Sequence, residues 1–349
     1  MNIVFIVRRF GPVGGMEKYV YELTKALLDL GVSVKVICNS AEIEEQIEGL
    51  DFYFVGSPIV KPRWLSMVIF SWKVGKVLGK LNLSNHVIHS HERSAFHDVT
   101  TFHGPPFAKV KLKPWWKRIS LRVKVWLYLE KRELCSRNVK IIIPNSQLIS
   151  SELQIFYPQC KSRITQPGYP GIDFQENIYP KDDNLVLFVG KEWKRKGLAK
   201  AIEIVNRVNE KNKDINFIVI GPKEDEVKHL FKLYHGNYQV LGWIDPAKYY
   251  EKAKLLIHPA LEEPYGMVVS EATSYGTRVL ISKNCGIADR VTDLSGSALS
   301  YDDSLDTWIE FFNKELHNEK PAKLVGETWH GLALKHIEIY KKVINENSN

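Results

Sequence analysis

Sulfur is scarce in this chain of 349 residues, which has four cysteines and four methionines. Cys38, Cys135, Cys160 and Cys285 form no Cys-x-x-Cys pair, so neither a zinc ribbon nor a disulfide scaffold is expected, and free thiols are. No stretch reaches the roughly 18 uncharged apolar residues of a membrane span. The apolar opening MNIVFIV runs at once into Arg8 and Arg9 with no small-residue cleavage site. It reads as a first strand rather than a leader, so a cytoplasmic protein is expected. No disorder signature dominates. What is present, 44% hydrophobic and 25% charged residues, suits a globular chain long enough for two domains with sizeable cores.

The net charge of +8 is unevenly spread. Residues 1–175 hold 24 Lys and Arg against 14 Asp and Glu, whereas the remainder holds 24 against 26. Most of the excess lies in residues 109–140, where eleven basic residues face only Glu130 and Glu133. Pro114 suits a first helical turn, and a helix over 114–134 would gather Trp115, Ile119, Val123, Trp126 and Leu134 on one side with Lys117, Lys124 and Lys131 opposite. Such a basic helix edged by tryptophans fits an anionic membrane surface, with Lys113, Trp115, Trp116, Lys117, Arg118 and Lys124 as its contacts. The competing reading is a core helix with a solvated edge, because Leu121, Val125 and Leu129 interrupt the polar face. No nucleic-acid motif accompanies the patch, so no nucleic-acid partner is expected.

Strand patterns alternate with helical ones, the mark of parallel α/β sheets. They fall at 2–7, 33–38, 86–90, 98–102 and 140–145, then at 185–190, 215–221, 238–242, 254–259 and 277–282. Two series imply two similar halves. The segment 166–184, rich in proline, glycine and asparagine, is the linker candidate. It divides the chain into 1–175 and 176–331. A last helical segment covers 327–344.

The chemistry concentrates in residues 258–280, where Glu263 and Glu271 stand eight apart around a glycine turn that opens a helix at Met267. A helix start presents unpaired N–H groups and attracts phosphate. Glu263 would precede the helix and Glu271 lie about two turns along it, so a polyol over the helix start would meet both. A capping carboxylate and a solvent-facing one would leave the same trace. His89 and His91 form an His-x-His pair, but no third ligand succeeds them at matching spacing, so no metal is assigned.

The run E-P-Y-G-M-V-V-S-E-A (263–272) resembles the Glu-x7-Glu signature of family-four retaining glycosyltransferases, with Pro264 in place of the usual glycine and Tyr265 in place of phenylalanine. The resemblance implies a GT-B fold, two Rossmann-like domains facing each other across a cleft, with residues 332–349 packing back on the first. It implies that Glu263 contacts donor-sugar hydroxyls, that Glu271 holds the ribose, and that Tyr265, Gly266, Met267 and Val268 face sugar and diphosphate. RRFGPVGGMEKY resembles the family's first glycine-rich loop, assigning Gly14 and Gly15 to the donor phosphates and the acceptor. DVTTFHG (98–104) resembles the loop whose histidine, here His103, approaches the reacting sugar. FVGKEWKRKG (188–197) resembles the diphosphate grip, with Lys191, Arg195 and Lys196 as its cations, and Gly221, Trp243 and Ile244 would line the base.

The short WKRKG loop and the basic tryptophan-containing insertion look most like glucosyltransferases that extend the lipopolysaccharide core. The resemblance thus implies a retaining transfer from a nucleoside-diphosphate sugar, UDP-sugar favoured, to a glycolipid or surface polysaccharide acceptor, without metal or cofactor. His103, Arg195, Lys196 and Glu263 would carry the catalysis. The alternatives are a nucleotide-sugar epimerase of the same fold, or a non-catalytic protein that uses its basic segment on membrane or nucleic acid.

Overall fold

The computed structural model describes residues 1–348 apart from 44–45, 58, 82, 84, 174–179, 212–213 and 324. The chain divides into two compact units, Met1–Gly171 with Glu327–Asn349, and Ile172–Gly326. The boundary expected near 176 lies outside the described residues.

In the first unit, β1 (Asn2–Ile6), β2 (Ser33–Cys38), β3 (Leu50–Phe54), β4 (His86–Ser90), β5 (Val99–Phe102) and β6 (Ile141–Pro144) pair in parallel in the order β3-β2-β1-β4-β5-β6. The second unit repeats the order with β7 (Asp182–Val189), β8 (Asn216–Ile220), β9 (Asn237–Val240), β10 (Ala253–His258), β11 (Arg278–Ser282) and β12 (Gly296–Leu299), which run β9-β8-β7-β10-β11-β12. This is the doubly wound arrangement, in which ligands bind beyond the carboxyl ends of the strands. Central strands are buried on both faces and therefore read as unbroken apolar runs. All six residues of β10 are buried, as are the last four of β1.

In these two sheets β3 and β12 escaped the sequence reading, as did the short parallel pair Arg9–Phe10 with Ser40–Ala41 in the first unit. β3 and β12 are edge strands with one neighbour. The sequence of β12, GSAL, has no β-branched or aromatic residue, so only its pairing with β11 makes it a strand.

Helices cover both sheets. The first unit has α1 (Gly15–Asp29), α2 (Arg63–Leu78), α3 (Leu121–Cys135) and α4 (Gln147–Phe156). The second has α5 (Leu198–Asn209), α6 (Glu224–Val227), α7 (Ala247–Lys252), α8 (Met267–Ser274) and α9 (Leu305–Leu316). The stripe on α5, Leu198, Ala201, Ile202, Val205 and Val208, is buried at helical spacing and packs with Phe188, Phe217 and Trp308. Each large side chain there contributes about 1.5–3 kcal/mol. The final helix α10 (Trp329–Ser348) packs on α1 in the first unit, where Tyr340 Oη lies 2.7 Å from His89 Nδ1.

The helix expected over 114–134 is displaced. Pro114 precedes only a 3-10 turn, Trp115–Lys117, and α3 starts seven residues later at Leu121. Ser120 is the reason: its hydroxyl accepts from Val123 N–H at 3.4 Å and caps the helix. Trp115 and Ile119 consequently lie outside the helix and are 62% and 59% exposed. The buried residues of α3 are Val123, Leu129, Glu130, Glu133 and Leu134, so α3 is a core helix. Its two glutamates are held by Arg93, 3.0 Å from Glu130 and 3.9 Å from Glu133, and Glu130 also accepts from the N–H groups of Phe107 and Ala108.

Candidate functional site

The carboxyl ends of β7, β8, β9 and β10 meet at one edge of the second sheet. Gly190 N–H donates to Ile220 O at 2.8 Å, Gly221 N–H to Gly242 O at 2.7 Å, and Leu261 N–H to Arg195 O at 2.9 Å. These bonds assemble the loops holding Lys191, Arg195, Lys196, Gly221, Trp243, Ile244 and Glu263. Gly190 has φ +157°, and a Cβ there would stand 2.1 Å from Lys196 Cδ. The missing side chain is the channel through which the lysine stem reaches its partner.

That partner is Glu263, 8% exposed. Its Oε2 lies 2.8 Å from Lys196 Nζ and 3.4 Å from Arg195 Nη1, with His258 Nε2 at 3.6 Å, beyond hydrogen-bond length. Burial pushes the Glu263 carboxyl up, but Lys196, His258 and Arg195 outweigh it and hold the group well below the usual carboxylate range. Glu263 is therefore ionised at any physiological pH. Burial keeps His258 neutral by lowering its pKa. Arg195 is shared with Glu192, 2.6 Å away. Glu192 is 68% exposed on its side chain, so that pair is worth little, and an incoming anion can displace it. Lys191 is exposed and takes no part in the Glu263 ion pairs.

The loop bearing Glu263 is fixed before any ligand arrives. Glu263 N–H donates to Asn284 O at 3.0 Å, Gly286 N–H to Glu263 O at 2.8 Å and Ile287 N–H to Tyr265 O at 2.9 Å. Gly266 then takes the left-handed conformation, φ +104°, that turns the chain into α8. No side chain caps α8; Val269 N–H closes on Gly266 O at 2.9 Å, and the positive end of the helix dipole suits an anion. Glu271 is the fifth residue of α8, just over one turn in rather than two, and accepts from Tyr250 Oη at 3.4 Å. Tyr265 is buried, with its Oη 3.1 Å from Ser270 Oγ. Met267 and Val268 are half-buried, whereas Trp243 is 72% exposed at its loop tip.

The remaining expected residues belong to the first unit. Gly14 precedes α1 and Gly15 begins it. His103 lies just after β5, its Nε2 2.9 Å from His91 Nδ1 and its carbonyl accepting from Asn145 at 3.0 Å. Burial, then His336, lowers the His103 pKa to about 3, so the ring is neutral at pH 7. His91 and His89 are likewise lowered by burial. His89 is tied to Tyr340 and, at 2.8 Å, to Thr101. Among the described residues no group of three or more His, Cys, Asp or Glu is disposed to hold a metal ion. Lys113, Trp115, Trp116, Lys117, Arg118 and Lys124 are exposed, together with Leu112, Ile119 and Leu121.

His258, His91, Tyr250 and Glu192 were missed as neighbours of the expected residues. His258 ends β10 and His91 directly follows β4, where a polar residue closing an apolar run was the available signal. Tyr250 and Glu192 carried none.

Two family models match consecutive parts of the chain: Glycosyltransferase Family 4 over residues 13–174 and Glycosyl transferases group 1 over residues 171–328. An uncharacterized glycosyltransferase of Methanocaldococcus jannaschii is 24% identical across 98% of both chains. The lipopolysaccharide glucosyltransferase WaaG of Escherichia coli K12 is 29% identical over 48% of this chain and 46% of its own. Among solved structures, WaaG superposes with a TM-score of 0.77 at 19% identity over 98% of both chains. The sucrose-phosphate synthase of Thermosynechococcus elongatus superposes at 0.76 and 17% over 99% of both. With both parts matched in order and the fold shared end to end, the chain belongs to the family-four glycosyltransferases of GT-B fold.

Proposed function

We propose that the protein transfers a hexose, with retention at the anomeric carbon, from a nucleoside-diphosphate sugar to a glycolipid or surface polysaccharide acceptor such as the lipopolysaccharide core. UDP-sugar is the favoured donor. The observation that carries this reading is the convergence of Lys196, Arg195, Glu263 and the uncapped start of α8 at one sheet edge. Lys196, Arg195 and the helix dipole would neutralise the departing diphosphate, a task for fixed charges in a dry site. They supply that positive potential without a metal ion or cofactor. Glu263, held ionised, would accept hydrogen bonds from sugar hydroxyls, and Glu271 from the ribose. Glu263 is committed to two cations and so is ill placed to be a covalent nucleophile. The acceptor would then attack from the face the diphosphate leaves.

The roles of His103, Gly14 and Gly15 rest on the family resemblance. A neutral His103 would donate or accept a single hydrogen bond at the sugar. A solved relative, the Anabaena protein HepE, was crystallised with UDP-glucose, which favours UDP here. WaaG, named for lipopolysaccharide, favours the acceptor class.

Residues 111–122, exposed throughout and carrying Trp115, Trp116, Leu112 and Ile119 among lysines and arginines, would rest on an anionic membrane at the cytoplasmic side and bring the enzyme to its lipid-linked acceptor. Among the described residues no helix is long and apolar enough to cross a membrane. No finding favours the epimerase or the non-catalytic reading. The test is incubation with UDP-glucose and a lipid-linked acceptor, with the product anomer read by NMR. An α-linked product from the α-configured donor is expected, and an inverted product would overturn retention.

A further inference from the structure

Cys135 is the last residue of α3, and Cys160 lies in the 3-10 turn Pro158–Arg163 that comes after α4. The fold brings their sulfurs to 2.9 Å, less than about 1 Å beyond a disulfide bond of about 2.05 Å. The two thiols differ in their surroundings. Cys160 is 1% exposed, and its thiol also points at Leu134 O, 3.4 Å away. Cys135 is half-buried, and the Gln159 side-chain amide donates to its Sγ at 3.3 Å. Arg163, anchored on Ser136 O at 2.9 Å, adds positive charge. The hydrogen bond from Cys160 holds the Cys135 thiol below its ordinary range, with Gln159, Lys131 and Arg163 helping. Cys135 is thus the accessible thiolate and Cys160 the buried thiol beside it, the arrangement of an attacking and a resolving cysteine. The other two cysteines are buried, and burial pushes both thiols up to about 12.

We propose that Cys135 and Cys160 form a redox modification site that takes a small-molecule disulfide, of which oxidised glutathione is the type, and closes into an intramolecular disulfide. The Cys135 thiolate attacks one sulfur of the small disulfide, forming a mixed disulfide and expelling one small thiolate, which takes up a proton. Cys160 then loses its proton and attacks Cys135 Sγ, forming the internal bond and expelling the second small thiol. Two protein thiols are oxidised and one small disulfide is reduced to two thiols. The bridge would pin the end of α3, whose other end adjoins the exposed 111–120 segment.

The test is equilibration of the full chain in oxidised and reduced glutathione mixtures, then acid quenching, unfolding, alkylation with N-ethylmaleimide and peptide mapping. The expected result is that Cys135 and Cys160 lose alkylation together as the mixture becomes more oxidising, that their peptides become linked, and that Cys38 and Cys285 stay alkylated. Cys160→Ser should instead accumulate a glutathione adduct on Cys135. A wild-type protein that keeps both thiols alkylatable at every poise, or that stops at a stable adduct on Cys135, would overturn the proposal. The wild-type map decides this even if the variant fails to fold.

Discussion

The two units share one strand order yet carry opposite chemistry at the carboxyl edges of their sheets. The second presents a carboxylate clamped by two cations, Glu263 with Lys196 and Arg195. The first gathers neutral imidazoles, the buried His89 and His91 and the half-buried His103, with His336 of α10 stacked on His89. The scaffold therefore fixes where chemistry happens, while the strand-end residues decide which chemistry. Charge at the second edge suits a diphosphate. Neutrality at the first suits hydrogen bonding to a sugar or acceptor.

Breaking the second edge should have the largest effect. Lys196→Ala is expected to lower turnover by about 10²-fold, the scale of losing one preorganised charge at a developing anion, while circular dichroism shows the fold intact. Lys191→Ala, at an exposed side chain outside the ion pairs, should change it only a few fold, and equal losses in steady-state assays would erase the distinction between the two lysines. At the first unit, replacing Lys113, Lys117 and Arg118 together by alanine should weaken binding to anionic vesicles by about 10²-fold at low salt, at roughly 1 kcal/mol per cation. Cosedimentation with phosphatidylglycerol vesicles reads this, and UDP binding should stay unchanged.

Acid should separate the units more gently. His89, His91, His97, His103 and His336 bind protons more weakly folded than unfolded because burial opposes their charge. Their contribution is complete above about pH 6.5 and is lost as pH falls toward 4 and below. Glu92 and Glu133, raised to about 7 by burial, and Asp98, also raised, act in the opposite sense and gain as pH falls. The net loss should steepen once those carboxylates are protonated in the unfolded chain as well, below about pH 4. The second edge has one such histidine, His258, and the depressed Glu263, whose contribution is lost only at lower pH. Hydrogen exchange between pH 7 and 4.5, corrected for intrinsic rates, should show peptides of β4, β5 and α10 losing protection before those of β7 and β10. The smallest effect is expected from Tyr250→Phe, which removes one long hydrogen bond to Glu271, 3.4 Å, and should weaken UDP binding a few fold in calorimetry.

Much of this contrast is legible in the sequence wherever the signal is local. Apolar runs such as KLLIHP and INFIVIG announce buried strands, and E-P-Y-G-M-V-V-S-E-A carries the turn, helix start and both glutamates in one stretch. Boundaries set by competing local choices are not. Pro114 and Ser120 both suit a helix start, and the serine hydroxyl wins. Partners that arrive from elsewhere in the chain are invisible as well. Glu263 meets Lys196 from 67 residues away, and His91 meets His103 only because β4 and β5 are neighbours. The edge strand β12 exists because a neighbour pairs with it rather than because its residues favour extension.

Whether the second unit's charged edge is a nucleotide-sugar clamp is tested most simply by the melting temperature of the purified protein with millimolar UDP, GDP and ADP in turn. A nucleotide at about 100 times its dissociation constant adds about 2.7 kcal/mol of stability. A clamp predicts a rise with UDP that Glu271→Ala and Lys196→Ala each abolish. An unchanged melting temperature with every nucleotide, or a rise that survives both substitutions, would rule the clamp out.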